Sequence, residues 1–272
     1  MNHFLTLPQV RLHFLEWGNP AAPPLVLLHG GAAHAHWWDH LAPLLAEQYH
    51  VVALDLRGHG DSSWVVPPAY EIEDYVGDLG ETFAALHLDS PVLLGHSLGG
   101  FIALTYATRH AATLRGLIVV DIGFRLRSGR TMRFLRNMPA PHYQDEEEVL
   151  RRFQLLPTET FAATPVRHHI ARTSVRSQET GGFTLKFDRA TMVREPRDLS
   201  SVLETITCPT LLLRGSHSQH LAATTMTEML KRCPRARGVE IPGAGHHVFL
   251  DNPTVFLSAV RDFLREGVEG HL

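Results

Sequence analysis

Four short apolar runs in the first 120 residues each stop abruptly at a histidine, a glycine or an aspartate. Leu25-Val26-Leu27-Leu28 stops at His29-Gly30-Gly31, Val51-Val52-Ala53-Leu54 at Asp55, Val92-Leu93-Leu94 at Gly95, and Leu117-Ile118-Val119-Val120 at Asp121. None of the four alternates apolar with polar residues. A strand that is apolar on both faces must be covered on both faces, which is the condition of a parallel sheet packed between two layers of helices. The intervening segments can supply those helices, because 74–86 and 98–110 place apolar residues at helical spacing. Val10 to Trp17 alternates instead, as an edge strand does. Strand alternating with helix predicts a doubly wound, mostly parallel α/β sheet.

The pattern breaks at Phe124. From there to about Ser200 strand-like runs vanish and arginines multiply. Asp145-Glu146-Glu147-Glu148 followed by Arg151-Arg152 reads as a helix, acidic at its start and basic further on, as the helix dipole favours. The sheet pattern then resumes at Pro209 to Leu213 and again at Gly238 to Ile241, and Asn252-Pro253 opens a last helix reaching about Leu264. The expectation is an α/β core made of residues 1–123 and 201–272, with a mostly helical cap over 124–200.

Composition narrows the class of function. A formal net charge of -3 does not suit a general nucleic-acid binder. No apolar run approaches the ~20 residues that cross a bilayer. Met1-Asn2-His3-Phe4 lacks the charged start of a signal peptide. Two cysteines, Cys208 and Cys233, each precede a proline and read as reduced thiols in a cytoplasmic protein. The 19 histidines are scattered. His34-x-His36 and His168-His169 come closest to clusters, and they read as surface or packing residues without zinc-ligand spacing. No metal or organic cofactor is expected. The partner expected is a small-molecule substrate, with neither nucleic acid nor membrane, and nothing in the sequence speaks to oligomeric state.

The chemistry-bearing motif is Gly95-His96-Ser97-Leu98-Gly99, lying between an apolar run and a helical pattern. A serine on a sharp strand-to-helix turn projects its hydroxyl above the sheet, and glycines on either side leave space where side chains would clash. A neutral hydroxyl needs a base. His246, in Gly245-His246-His247 after the last strand, is the candidate; the Gly-His step favours it over His247. An oxyanion needs two donors, expected from the N–H of Leu98 and from Gly31 in the loop after the early strand.

With Leu27-Leu28-His29-Gly30-Gly31, Asp55-Leu56-Arg57-Gly58-His59-Gly60-Asp61-Ser62, Gly95-His96-Ser97-Leu98-Gly99-Gly100, Val119-Val120-Asp121-Ile122-Gly123 and Gly245-His246, the chain resembles the α/β-hydrolase fold family over nearly its whole length. The resemblance implies an eight-stranded sheet, a cap inserted after the sixth strand, and a Ser-His-acid triad. A nucleophilic Asp at position 97 would imply a dehalogenase or an epoxide hydrolase; Ser97 argues against both. The family usually carries its acid after the strand that here is Thr210 to Leu213, yet Arg214-Gly215-Ser216-His217-Ser218-Gln219-His220 contains no carboxylate. Ser218 stands where similar sequences have Asp. Some family members carry the acid one strand earlier, and that position is Asp121. Asp55, Arg57, His59 and Asp61 read as structural residues of their loop.

Residues 124–200 hold fourteen Lys and Arg against nine Asp and Glu, while the rest of the chain is net negative. Such an excess suits solvated helix faces, or attraction of an anionic substrate. Trp38, His96, Phe124, Phe134, Met138 and Phe153 are candidates to line a substrate pocket between cap and core. The leading reading is a serine hydrolase cleaving a carboxylic ester, or a thioester or lactone, through an acyl-enzyme on Ser97. Alternatives are a carbon–carbon bond hydrolase, a cofactor-free perhydrolase or haloperoxidase, and a non-catalytic ligand-binding protein of the same fold.

Overall fold

The computed structural model describes residues 1–126 and 130–268, with the side chains of 130–132 and 267–268 outside the description. Eight strands form one sheet: β1 (Asn2–Thr6), β2 (Arg11–Trp17), β3 (Pro24–Leu28), β4 (His50–Leu54), β5 (Val92–His96), β6 (Gly116–Val120), β7 (Thr210–Gly215) and β8 (Ala236–Ile241). Their order is β1-β2-β4-β3-β5-β6-β7-β8. The pairs β1–β2 and β2–β4 are antiparallel, and the rest are parallel.

Each apolar run divides its side chains between two cores. Val26, Leu28, Val52, Leu54, Leu93 and Val119 face one; Leu25, Leu27, Val51, Ala53, Val92, Leu94 and Val120 face the other. All are buried, each large aliphatic residue contributing about 1.5–3 kcal/mol by leaving water. Helices α1 (Ile72–Ala85) and α2 (Leu98–His110) cover the first face. Trp37, Trp38 and the C-terminal helix (Pro253–Phe263) cover the second. Asn252 caps that last helix by accepting from Val255 N–H at 3.2 Å, with Pro253 at its first position, as the sequence predicts. Helix α1 begins at Ile72, earlier than the periodicity places it, because Glu71 and Asp74 form a reciprocal capping box.

Two differences from the sequence reading concern strands. Arg11–Trp17 is not the sheet edge: β1 folds back on it and takes that place. The stretch between β6 and β7 is less helical than its pattern suggests. It contains helices Arg130–Asn137, Glu146–Arg152 and Thr164–Thr173, and also two antiparallel pairs. Arg125–Leu126 pairs with Arg197–Asp198, and Val175–Ser177 with Phe183–Leu185. These strands are two or three residues long, too short to show a period of two. The segment has a small core of its own around Tyr143, Val149 and Ala171. Polar links tie it to the sheet: Lys186 to Asp61 (2.8 Å), Tyr70 OH to Asp188 (2.7 Å) and His34 to Ser174 (2.8 Å). Among the described residues no helix is long and apolar enough to cross a membrane.

Candidate active site

Strand register brings the chemistry-bearing loops to one edge. Leu28 pairs with Gly95, His96 with Val120, Val120 with Leu213, and Gly215 with Ile241. The residues that follow these strands therefore emerge side by side at the carboxyl ends of the sheet, where open α/β folds bind ligands.

Ser97 occupies the turn between β5 and α2 with φ 52° and ψ -115°, a backbone conformation that costs a non-glycine residue about 1–3 kcal/mol. Packing enforces it. Ser97 N–H donates to Val120 O (3.0 Å) and Gly99 N–H to His29 O (3.1 Å). A Cβ on Gly95 would stand 2.3 Å from Gly99 O, and one on Gly99 would stand 2.6 Å from the carbonyls of Leu28 and His29. Leu98 opens α2, so its N–H has no carbonyl four residues back to bond. Gly31 and Leu98 line the same cavity as Ser97. The loop that carries Gly31 is fixed from behind: Leu56 N–H donates to His29 Nε2 (3.0 Å), so His29 Nδ1 bears the hydrogen given to Gly30 O (2.7 Å).

His246 Nδ1 donates to Asp121 Oδ2 at 2.8 Å. This leaves Nε2 with the ring's lone pair, on a side chain that borders the cavity of about 700 Å³ shared with Ser97. Burial holds the His246 pKa well below its ordinary value, helped by His220 and His247. Asp121 is fully buried and also takes a left-handed backbone, φ 53°. Its Oδ1 accepts from Gly215 N–H (3.1 Å) and its Oδ2 from Ser218 Oγ (2.5 Å). Burial pushes its carboxyl up to about 6, against the downward pull of the Ser218 and Gly215 bonds. Ser218, in the loop where a carboxylate was missing, thus bonds the carboxylate from the neighbouring strand. Its hydroxyl oxygen accepts in turn from His220 N–H (3.0 Å) and Leu221 N–H (3.3 Å).

The aromatic and methionine candidates fall elsewhere. Trp38 is buried and stacked on Phe249, ring centres 4.1 Å apart. Phe124 lies inside the first core. Phe153 packs between the inserted segment's own core and the second core. Phe134 and Met138 face outward, 66% and 43% exposed. His96 is buried under the turn, where its Nε2–H donates to His246 O (2.9 Å); it braces the histidine from below. The cavity wall is made instead by Ile122, Leu126, Leu135, Leu156 and Met192, with Arg194 and His220 among its polar members. His220 stacks on His246 with ring centres 4.0 Å apart. His247, the alternative to His246, donates from Nε2 to Pro157 O (2.8 Å) and meets Trp37 edge-on.

The buried Asp55 holds the neighbouring loop, accepting from Ala35 N–H (2.6 Å), Asp61 N–H (2.8 Å) and His13 Nδ1 (2.7 Å). Arg57 makes a two-pronged pair with Asp78 at 2.6 and 2.5 Å. Apart from the cavity, His36 Nδ1 and His169 Nε2 converge on Asp39 Oδ2 at 2.8 Å each, donors of the kind that hold a divalent cation.

A family model described as the alpha/beta hydrolase family matches residues 25–259. The chain belongs to the alpha/beta hydrolase family. Its relatives in this family include a 3-hydroxybutyrate-oligomer hydrolase of Cupriavidus necator, 28% identical over an alignment of 254 residues that covers 87% of each chain. An esterase of Mycobacterium tuberculosis is 26% identical over 257 residues, covering 92% of this chain and 85% of the relative. Among solved structures, E-2-(acetamidomethylene)succinate hydrolase superposes with a TM-score of 0.86 at 22% identity, covering 97% of this chain and 99% of that one. This likeness is one of fold. As a member of the alpha/beta hydrolase family with named hydrolases and esterases among its relatives, the chain is an enzyme of the hydrolase class.

Proposed function

We propose that this enzyme cleaves carboxylic esters through an acyl-enzyme on Ser97, with His246 as general base and acid and Asp121 as the carboxylate that orients it. The observation that carries the reading is the 2.8 Å bond from His246 Nδ1 to Asp121, which leaves Nε2 unprotonated in the cavity that Ser97 borders. On this reading His246 Nε2 takes the Ser97 proton as Oγ attacks the ester carbonyl. The N–H groups of Leu98 and Gly31 receive the oxyanion. The imidazolium then protonates the leaving alcohol, and the neutral ring activates water to release the acid. Thioesters and lactones require the same groups. The small-molecule substrate reaches the site through the cavity between the sheet edge and the segment inserted after β6. Both cysteines are free and buried, which fits a reducing, cytoplasmic setting.

The test is labelling with a fluorophosphonate, followed by hydrolysis of a panel of aryl and alkyl esters. The folded protein should label at Ser97, and Ser97→Ala should abolish labelling and turnover together. A well-folded wild-type protein that neither labels nor turns over any ester would defeat the proposal in favour of a ligand-binding role.

A further inference from the structure

Three of the cations close to the cavity differ in how their charge is met. Arg125, at its rim, is neutralised by Asp198 at 2.8 Å. Arg57, buried and outside the cavity lining, is held by Asp78 and lies 3.8 Å from Asp74. Arg194 also lines the cavity, and among the described residues no carboxylate lies within ion-pairing distance of it. Its partners are neutral: Nε donates to Tyr70 O (3.1 Å) and Nη2 to Tyr75 OH (3.3 Å), with the guanidinium lying 5.4 Å from the Tyr75 ring centre.

That pattern has two consequences. A half-buried cation in a wall of Ile122, Leu126, Leu135 and Met192 loses solvation that no protein anion restores. The bonds from Nε and Nη2 also fix the plane of the guanidinium. Among the described residues they leave without a partner both N–H groups of Nη1 and one of Nη2, the outer edge that matches the two oxygens of a carboxylate. The cavity walls include Ser97, His246 and Arg194, and among the described residues no Asp or Glu. We propose that Arg194 is an anion subsite, and that the preferred substrate is an ester bearing a carboxylate on the part held in the cavity. The proposal rests on the ester-hydrolase reading above, and it locates the use of the basic excess of residues 124–200 in one side chain.

The experiment compares monomethyl esters of straight-chain dicarboxylic acids with neutral and amine-terminated methyl esters of matched length. At the best length, wild-type kcat/KM should favour the half-ester over its neutral match by at least about tenfold, with the amine-terminated ester slowest. Arg194→Met should lose about 30-fold or more on the half-ester and change the neutral ester by less than about threefold. Arg194→Lys, which keeps the charge but not the fork, should fall between. Calorimetry on Ser97→Ala supplies a readout independent of turnover: it should bind the half-ester, and Ser97→Ala with Arg194→Met should not. Equal rates on charged and neutral esters, or a preference that survives Arg194→Met in a protein with an unchanged melting curve, overturns the subsite and leaves the hydrolase reading intact. If no ester is cleaved while Ser97→Ala binds the half-ester through Arg194, the subsite stands and the hydrolase reading falls. If Arg194→Met does not fold, Arg194→Lys decides: a loss confined to the half-ester supports the subsite, and equal rates with wild type on both esters overturn it.

Discussion

The turn that carries Ser97 and the loop that follows β7 lie two strands apart on the same sheet edge, yet they are constrained in different ways. In the turn, backbone meets backbone. Gly95 and Gly99 sit where a Cβ would lie within 2.6 Å of main-chain atoms, so the sequence there has almost no freedom. In the loop, side chains meet. Ser218 reaches Asp121 through one 2.5 Å bond, and the carboxylate reaches His246 from the end of β6. The register of Val120 against Leu213 puts the Ser218 hydroxyl and the His246 imidazole within hydrogen-bond reach of one carboxylate, that of Asp121. Geometry imposed by main chain must be kept residue by residue. Geometry imposed by side chains can be redistributed.

Three substitutions probe this contrast, in falling order of effect. Gly99→Ala forces a methyl group against the carbonyls of Leu28 and His29. It should cost about 3 kcal/mol or more and lower the melting temperature by about 10 °C, with activity lost; calorimetric melting checks this, and an unchanged melt would show that the turn is less rigid than its contacts imply. Asp121→Asn should leave the melting curve close to wild type while lowering kcat by about 10³- to 10⁴-fold on the proposed mechanism.

Ser218→Ala should act more gently and through pH. Its hydroxyl lowers the Asp121 pKa, so removing it raises a value already pushed up to about 6. On the proposed mechanism, His246 needs Asp121 ionised to stay oriented and to be stabilised as imidazolium. The acid limb of the kcat/KM profile should therefore move to higher pH, by about one unit, with a change of less than about threefold on the plateau above pH 8. A shift to lower pH would reverse the sign of the argument.

The sheet was legible because its signal is local. Runs such as Val51 to Leu54 are apolar on both sides, and each ends where the chain must leave the sheet. The glycines of the Ser97 turn were legible for the same reason. Strand β1 leaves no such signal: Asn2–Thr6 is half exposed and pairs on one side only, so neither an apolar run nor a clean alternation marks it. The cavity wall was not legible. Hydrophobicity alone nominated Phe134 and Met138, but whether an apolar side chain faces the cavity, the core or solvent depends on how the inserted segment docks. That docking is set by scattered contacts such as Tyr70 with Asp188 and Lys186 with Asp61. Arg194 is hidden among fourteen cations, and it is set apart only in three dimensions, by lining the cavity without an acidic partner. His220 offered one faint cue, its place in the loop without a carboxylate. In the sequence His36 and His169 read as surface or packing residues far apart, and Asp39 joins them only in three dimensions.

The central claim is that Asp121 has taken over from the loop after β7 the task of orienting His246. The rate of fluorophosphonate labelling at Ser97, measured side by side in wild type, Asp121→Asn and Ser218→Ala at pH 8, tests it without reference to any substrate. The account predicts labelling slowed by about a thousandfold or more in Asp121→Asn and within about threefold of wild type in Ser218→Ala. Labelling of Asp121→Asn at close to the wild-type rate would contradict it.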